Sequence, residues 1–246
     1  MDYSTLLGVI AFVGLVAVGF STGQITSSLI NLHGVFVVMG GSLVAMLINT
    51  PFKYLSKAVT ELRFLMFSDD NTEIQRAVPV LVALAEQCRS TGLSALKNAD
   101  PTLAKGFLAR VSAAALEYND SNFVKHVIEQ EINQAADETN EVANVYRTLG
   151  LLSPMFGLLG TLMGIISVLK QLSDPESVGP AMGVAITSAF YGILFSNMVC
   201  VPVAGKIRAR IWLQVKLKSM ILEGILEIMK GSIPMVVERR LQSYLG

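Results

Sequence analysis

Charged residues are missing from long stretches of the chain. None falls between Arg147 and Lys170, and none between Glu176 and Lys206. A helix needs about 20 apolar residues to cross a bilayer, and each of these stretches is long enough. Two more apolar runs open the chain, Tyr3 to about Ser21 and about Ile25 to Thr50, separated by Thr22-Gly23-Gln24 and a few polar neighbours. The pattern predicts four spans in two hairpins, the second turning through the polar connection KQLSDPESVGP.

Between the hairpins the period changes to that of amphipathic helices. Ile74, Val78, Leu81, Val82, Leu84 and Ala85 mark one helix, and Phe107, Val111, Ala114 and Ala115 a second. Asp100-Pro101 predicts a further helix start. Asn119-Asp120-Ser121 reads as a break and N-cap. From there Phe123, Val127, Ile128 and Ile132 open a long helix running through Val145 into span three. Beyond Lys206 span four continues into water, Gly231-Ser232 breaks it, and Pro234 to Leu245 forms a short last helix. The expected fold is an all-α integral membrane protein with four transmembrane helices and a helical cytoplasmic insert between spans two and three. Its parts are a hairpin over 1–50, the insert over 51–147, a second hairpin over 148–205 and a helical tail over 206–246.

Composition agrees with a membrane protein. Hydrophobic residues make up 52% and charged residues 15%, against about 25% charged in soluble domains. A formal net charge of zero argues against nucleic acid as a main partner. Lys53, Lys57 and Arg63 follow span two, Arg147 precedes span three, and Lys206, Arg208, Arg210, Lys216 and Lys218 follow span four. The hairpin turns carry only Lys170. The positive-inside rule therefore puts insert, tail and N-terminus in the cytoplasm. Cys88 and Cys200 are expected to be free thiols. The first residues lack the basic stretch and cleavage site of a signal peptide, so the first apolar run is expected to stay.

The chain carries no HExxH, CxxC or P-loop, only two histidines, and no acid–base or nucleophile constellation. It reads as a non-enzyme without metal or cofactor. Its chemistry lies in polar side chains within the spans: Thr161 and Ser167 in span three, and Thr187, Ser188, Tyr191, Ser196 and Asn197 in span four. Their clustering at one depth suggests a route for an ion. The competing reading is that they bond their own backbone or a neighbouring helix. No carboxylate lies inside a span, so a conducting role needs an acid from a partner subunit. His33 is the one titratable side chain in the spans and reads as interfacial or packed rather than as a proton relay. Gly157, Gly160 and Gly164, then Gly179 and Gly183, have close-packing spacing. Pro154 and Pro202 either end or kink helices or act as hinges.

The run SPMFGLLGTLMGIISVLKQLSDPESVGPAMGVAITSAFYGILFSNMVCVPVAGKI resembles the MotA/TolQ/ExbB proton-channel family. MDYSTLLGVI, VVMGGS and the long insert after span two resemble its MotA/PomA branch, the flagellar stator A subunits. The resemblance implies a bacterial inner-membrane homo-oligomer, a pentamer of A subunits around a dimer of MotB/PomB-like B subunits. The B subunit supplies the ion-carrying Asp. Proton or sodium flow becomes torque on a FliG-like rotor protein through the cytoplasmic insert. On this resemblance Thr161 matches the pore-lining Thr of span three. Thr187, Ser188 and Ala189 fall in the pore-lining stretch of span four, with Ser188 and Ala189 where sodium-type relatives carry the two Thr of TTLYG. Ala189 lacks an oxygen that a hard cation would use, and Asn31 replaces an Asp found in some sodium-type relatives. Both lean towards protons. Pro154 and Pro202 match two prolines proposed to transmit motion. QCRSTGLSALK resembles the rotor-contact stretch, in which Arg89 matches while Lys97 stands in place of Glu. That reversal implies a compensating rotor or a different envelope machine. A non-conducting membrane scaffold is the third possibility.

Overall fold

The computed structural model of this 246-residue chain describes residues 3–22, 31–65, 70–173 and 175–245. The described residues are helical with short turns, and they divide into two compact units, 1–68 with 141–207 and 69–140 with 208–246.

The first unit holds the apolar helices. Helix α1 is Tyr3–Ser21. Leu32–Asn49 forms one apolar run, comprising α2 (Leu32–Val35), a π-turn at Phe36–Gly40 and α3 (Gly41–Asn49). Asn31 caps it, its Oδ1 accepting from the backbone N–H groups of His33 at 3.0 Å and Gly34 at 3.2 Å. Thr50 is extended, at φ −127° and ψ 133°, as the residue before a proline prefers, and α4 (Phe52–Leu65) follows. The Tyr146 hydroxyl donates to the carbonyl of Ala58 in α4 at 2.8 Å. Helix α7 (Ser121–Lys170, 50 residues) and α9 (Val201–Met229) each contribute to both units. Between them lie α8 (Pro175–Phe195) and a second π-turn at Ser196–Cys200.

Among the described residues three helices are long and apolar enough to span a membrane: Leu32–Asn49, a segment of α7, and a segment of the run Val178–Met229. Helix α1 contributes a shorter apolar stretch, Ile10–Gly19. The expected turn between the first two runs, at Gly23-Gln24, and the start at Ile25 lie outside the described residues. The second turn is shorter than expected. Residues Ser177 to Pro180 are helical, because Pro175 occupies the first helical position, where a missing N–H costs nothing, and Glu176 suits the positive helix end.

The second unit is built from α5 (Asp70–Thr91), 3-10 turns at Leu93–Asn98 and Leu103–Gly106, α6 (Phe107–Tyr118), the first part of α7, the last part of α9, and α10 (Pro234–Gln242). Leu81, Phe107, Val111, Ile128, Ile221 and Leu241 lie in its continuous apolar core. The break before α7 is as expected. Asn119 adopts φ 49° and closes α6, while Asp120 Oδ1 accepts from Asn122 N at 2.9 Å and Phe123 N at 3.3 Å. Asp100-Pro101 does not begin an α-helix. Asp100 folds locally onto Thr102, accepting from its N–H at 2.8 Å and hydroxyl at 2.7 Å. Ala104, Lys105 and Gly106 then turn left-handed, at φ 49°, 57° and 83°, so α6 starts only at Phe107. At the other end Gly231 (φ 75°) stops α9. Gly231 N and Ser232 N donate to the carbonyls of Ile228 and Glu227, filling acceptors the helix leaves open. Both cysteines are free and buried, Cys88 in α5 and Cys200 in the second π-turn.

Candidate functional site

Helices α7 and α8 approach until only glycine fits between them. A Cβ on Gly160 would stand 2.6 Å from Ser188 Cβ, one on Gly164 2.6 Å from Ala185 Cβ, and one on Gly157 2.9 Å from the Ser188 carbonyl oxygen. From the other helix, a Cβ on Gly192 would meet the Ser153 carbonyl at 2.5 Å and Pro154 Cα at 3.1 Å. Three of the five spaced glycines are therefore packing residues. Gly179 and Gly183 are not, since a Cβ on either meets nothing within 4 Å. Gly34 of α2 approaches from a third side, where a Cβ would stand 3.0 Å from Thr187 Oγ1 and 3.2 Å from Ser188 Oγ.

This geometry encloses two of the predicted pathway hydroxyls. Thr187 is 2% exposed and Ser188 0%. Thr187 Oγ1 donates to the Gly183 carbonyl at 2.8 Å, and Ser188 Oγ to that of Val184 at 2.7 Å. Thr161 bridges the helices, its Oγ1 lying 3.1 Å from the Gly157 carbonyl and 2.9 Å from the Ala185 carbonyl of α8. Thr161 and Ala189 remain half-buried. Ser167 Oγ and Asn197 Nδ2 donate to carbonyls of their own helices, those of Met163 and Ile193. The Tyr191 hydroxyl accepts from the backbone N–H of Asn31 at 3.1 Å. Met182, Ile186, Phe190 and Ile193 form an exposed apolar stripe on α8.

Neither Pro154 nor Pro202 ends a helix; each lies inside one. A proline has no N–H for the carbonyl four residues earlier. For Pro154 that carbonyl is Gly150, and Ser196 Oγ donates to it from the second π-turn at 2.6 Å. Pro202 is the second residue beyond the same π-turn, a feature that absorbs a break in the hydrogen-bond ladder. In the sequence Ser196 is one hydroxyl among several. Its partner was legible only by noticing that Pro154 orphans Gly150. His33 is exposed and lines an open cleft of about 600 Å3 with Ser167, Lys170 and Gln171.

The rotor-contact candidates lie in the second unit. Arg89 lies in the last turn of α5 and is exposed beside a cleft of about 440 Å3 that also takes in Cys88, Leu93 and Lys230 to Ser232. Gly92, at φ 83°, reverses the chain. The following 3-10 turn buries Ala95 and Leu96 and leaves Lys97 exposed near its end.

Residues 97–220 match the MotA/TolQ/ExbB proton channel family. Motility protein A of Treponema pallidum is 30% identical over 246 residues, covering 100% of this chain and 95% of that protein. Chemotaxis protein PomA of Vibrio alginolyticus is 27% identical over 100% of this chain and 96% of its own. The structure of the flagellar MotAB stator complex from Bacillus subtilis superposes with a TM-score of 0.90 at 25% identity, over 100% of this chain and 96% of the matched one. That of C. jejuni MotAB gives 0.87 at 24% and shows the same fold. The chain belongs to the MotA/TolQ/ExbB proton channel family.

Proposed function

We propose that this chain is the A subunit of an ion-driven flagellar motor stator in a bacterial inner membrane. The observation that carries the reading is similarity over the whole chain, in sequence and in fold, to motility A proteins and to a MotAB stator complex. In this reading α1 completes a set of four spans, and insert and tail lie in the cytoplasm with both termini. The chain forms a pentamer around a dimer of B subunits of the MotB/PomB kind, whose carboxylates supply the acid these spans lack. Thr161 and Ala189, half-buried in the single chain, are the pathway members open to a partner helix. Thr187 and Ser188 back them from within the packed layer. One charge moving through 100 mV releases about 2.3 kcal/mol. Pro154 and Pro202 pass the resulting movement on, and Arg89 and Lys97 meet the rotor. The missing hydroxyl at Ala189 favours protons. Asn31 adds little to that choice, because its oxygen caps α2, a role an Asp fills equally well.

The test is rotation of tethered cells that lack their own stator and express this chain with its cognate B subunit in sodium-free buffer. Continued rotation is expected and supports a proton-driven stator. Rotation that returns only with sodium overturns the ion assignment and keeps the stator. No rotation in either buffer, with both chains in the membrane, overturns the flagellar reading. Lys97 favours the second reading, a MotA-like energiser of another envelope machine, which that last result would support.

A further inference from the structure

A cleft of about 220 Å3 in the second unit is lined by Glu73 of α5, Ala104 and Lys105 of the left-handed turn, Arg110 of α6, and Gln214, Leu217 and Lys218 of α9. Three of these side chains are cations. Arg110 is answered by Glu131, with Nη2 to Oε1 at 2.9 Å. Lys105 and Lys218 have no ion-pair partner within 4.0 Å among the described residues, and Glu73 pairs with none of the three. Arg110 and Lys218 both lie over the ring of the fully buried Phe107, 5.6 Å and 5.4 Å from its centroid. Lys218 is half-buried well beyond the uncharged run that ends at Gly205. Burial pushes its pKa down; Glu131 opposes this, and Arg110 and Lys105 add to it. The fold therefore holds like charges together at a cost, and it holds Lys105 in a backbone conformation that residues with a Cβ rarely adopt. Strain of this kind gathers where a ligand is held.

We propose that this cleft binds a phosphate group, either as inorganic phosphate or as the end of a nucleotide. Lys105 and Lys218 offer ammonium donors without an ion-pair partner, Arg110 offers the guanidinium donors that Glu131 does not use, and Gln214 offers an amide. Together they suit a compact tetrahedral oxyanion. The volume admits one or two phosphoryl groups, so a nucleoside would extend outwards. An anion would also relieve the repulsion among the three cations. The inference does not depend on the stator reading.

The experiment is thermal unfolding of the full chain in detergent with inorganic phosphate, pyrophosphate or ATP, each against sodium chloride of equal ionic strength. A rise of about 3 °C at saturation is expected for at least one phosphate compound. A response to inorganic phosphate as strong as that to ATP identifies free phosphate, and a much stronger one to ATP identifies a nucleotide. Lys218→Met should abolish the rise while keeping or raising the basal unfolding temperature, because it removes a charge buried at a cost. Lys105→Gly should relax the turn and weaken phosphate binding about tenfold. No rise above matched chloride overturns the proposal, and so does an equal rise in Lys218→Met.

Discussion

Ser196 repairs what Pro154 breaks. The Gly150 carbonyl has no backbone donor at the proline position, and the Ser196 hydroxyl supplies one from the neighbouring segment at 2.6 Å. An intrinsic weak point of α7 is thus a tie between two helices.

Removing that tie should expose the carbonyl. Ser196→Ala is expected to lower stability by about 1 kcal/mol, between the average for membrane hydrogen bonds and the cost of an orphaned polar group. Pro154→Ala restores the backbone N–H, so Ser196→Ala should cost less in that background. Thermal unfolding of the four proteins of this cycle measures the coupling. Strict additivity would show that Ser196 does not serve the proline's carbonyl.

The glycines give a contrast within one chain. Gly160→Ala puts a methyl 2.6 Å from Ser188 Cβ and should destabilise by about 1–3 kcal/mol, as overpacking does. Gly183→Ala, in open space, should change stability by less than about 0.5 kcal/mol. Unfolding in detergent compares them, and equal effects would contradict the close packing of α7 on α8 at Gly160.

Glu227 should give the second unit an acid limit. It is 5% exposed. Its carboxylate accepts from Ser232 Oγ at 2.6 Å and Lys230 Nζ at 3.0 Å, with Arg240 Nη2 at 4.0 Å. The Ser232 hydrogen bond lowers its pKa first, against the opposing effect of burial, with Lys230 and Arg240 adding to the lowering. A carboxyl whose folded pKa is depressed stabilises above its ordinary value, about 4.3, and that contribution is lost as pH falls through the folded value. Unfolding temperature measured from pH 6 downwards should therefore drop less steeply in Glu227→Gln than in the parent. Parallel curves would remove Glu227 as a cause.

Lys97 is exposed on a turn whose neighbours Ala95 and Leu96 are buried, so its charge can be changed without disturbing the core. If the native rotor carries compensating acidic groups, Lys97→Glu should reduce swimming speed and a charge reversal on the rotor should restore it. Swimming speed unaffected by Lys97→Glu would take this residue out of the contact.

The uncharged runs, the Asp120 cap and the Gly231 stop were legible because each depends on local chemistry. The spacing of glycines was legible too, but not which of them face a neighbour. Gly160 and Gly183 look alike in sequence, and only the position of α7 beside α8 separates them. The hydroxyls show the same limit. Depth along the helix puts Thr187 and Ser188 beside Thr161, but their enclosure arises because α2 and α7 flank α8 together. Asp100-Pro101 misled because the aspartate side chain bonds Thr102 in an Asx turn, competing with helix initiation. The π-turns had no signature, since one additional residue in a helical turn leaves an apolar pattern almost unchanged.

The placement of the two cysteines has a practical side. Both thiols are buried and free, and burial pushes the Cys88 thiol above its ordinary pKa, which leaves little of the nucleophilic thiolate at neutral pH. A maleimide given to the folded protein should spare them. The natural chain is then already a quiet background, in which a single cysteine introduced at Lys97 or Ala189 can report, by how fast it is labelled, when that position becomes open to water during the working cycle.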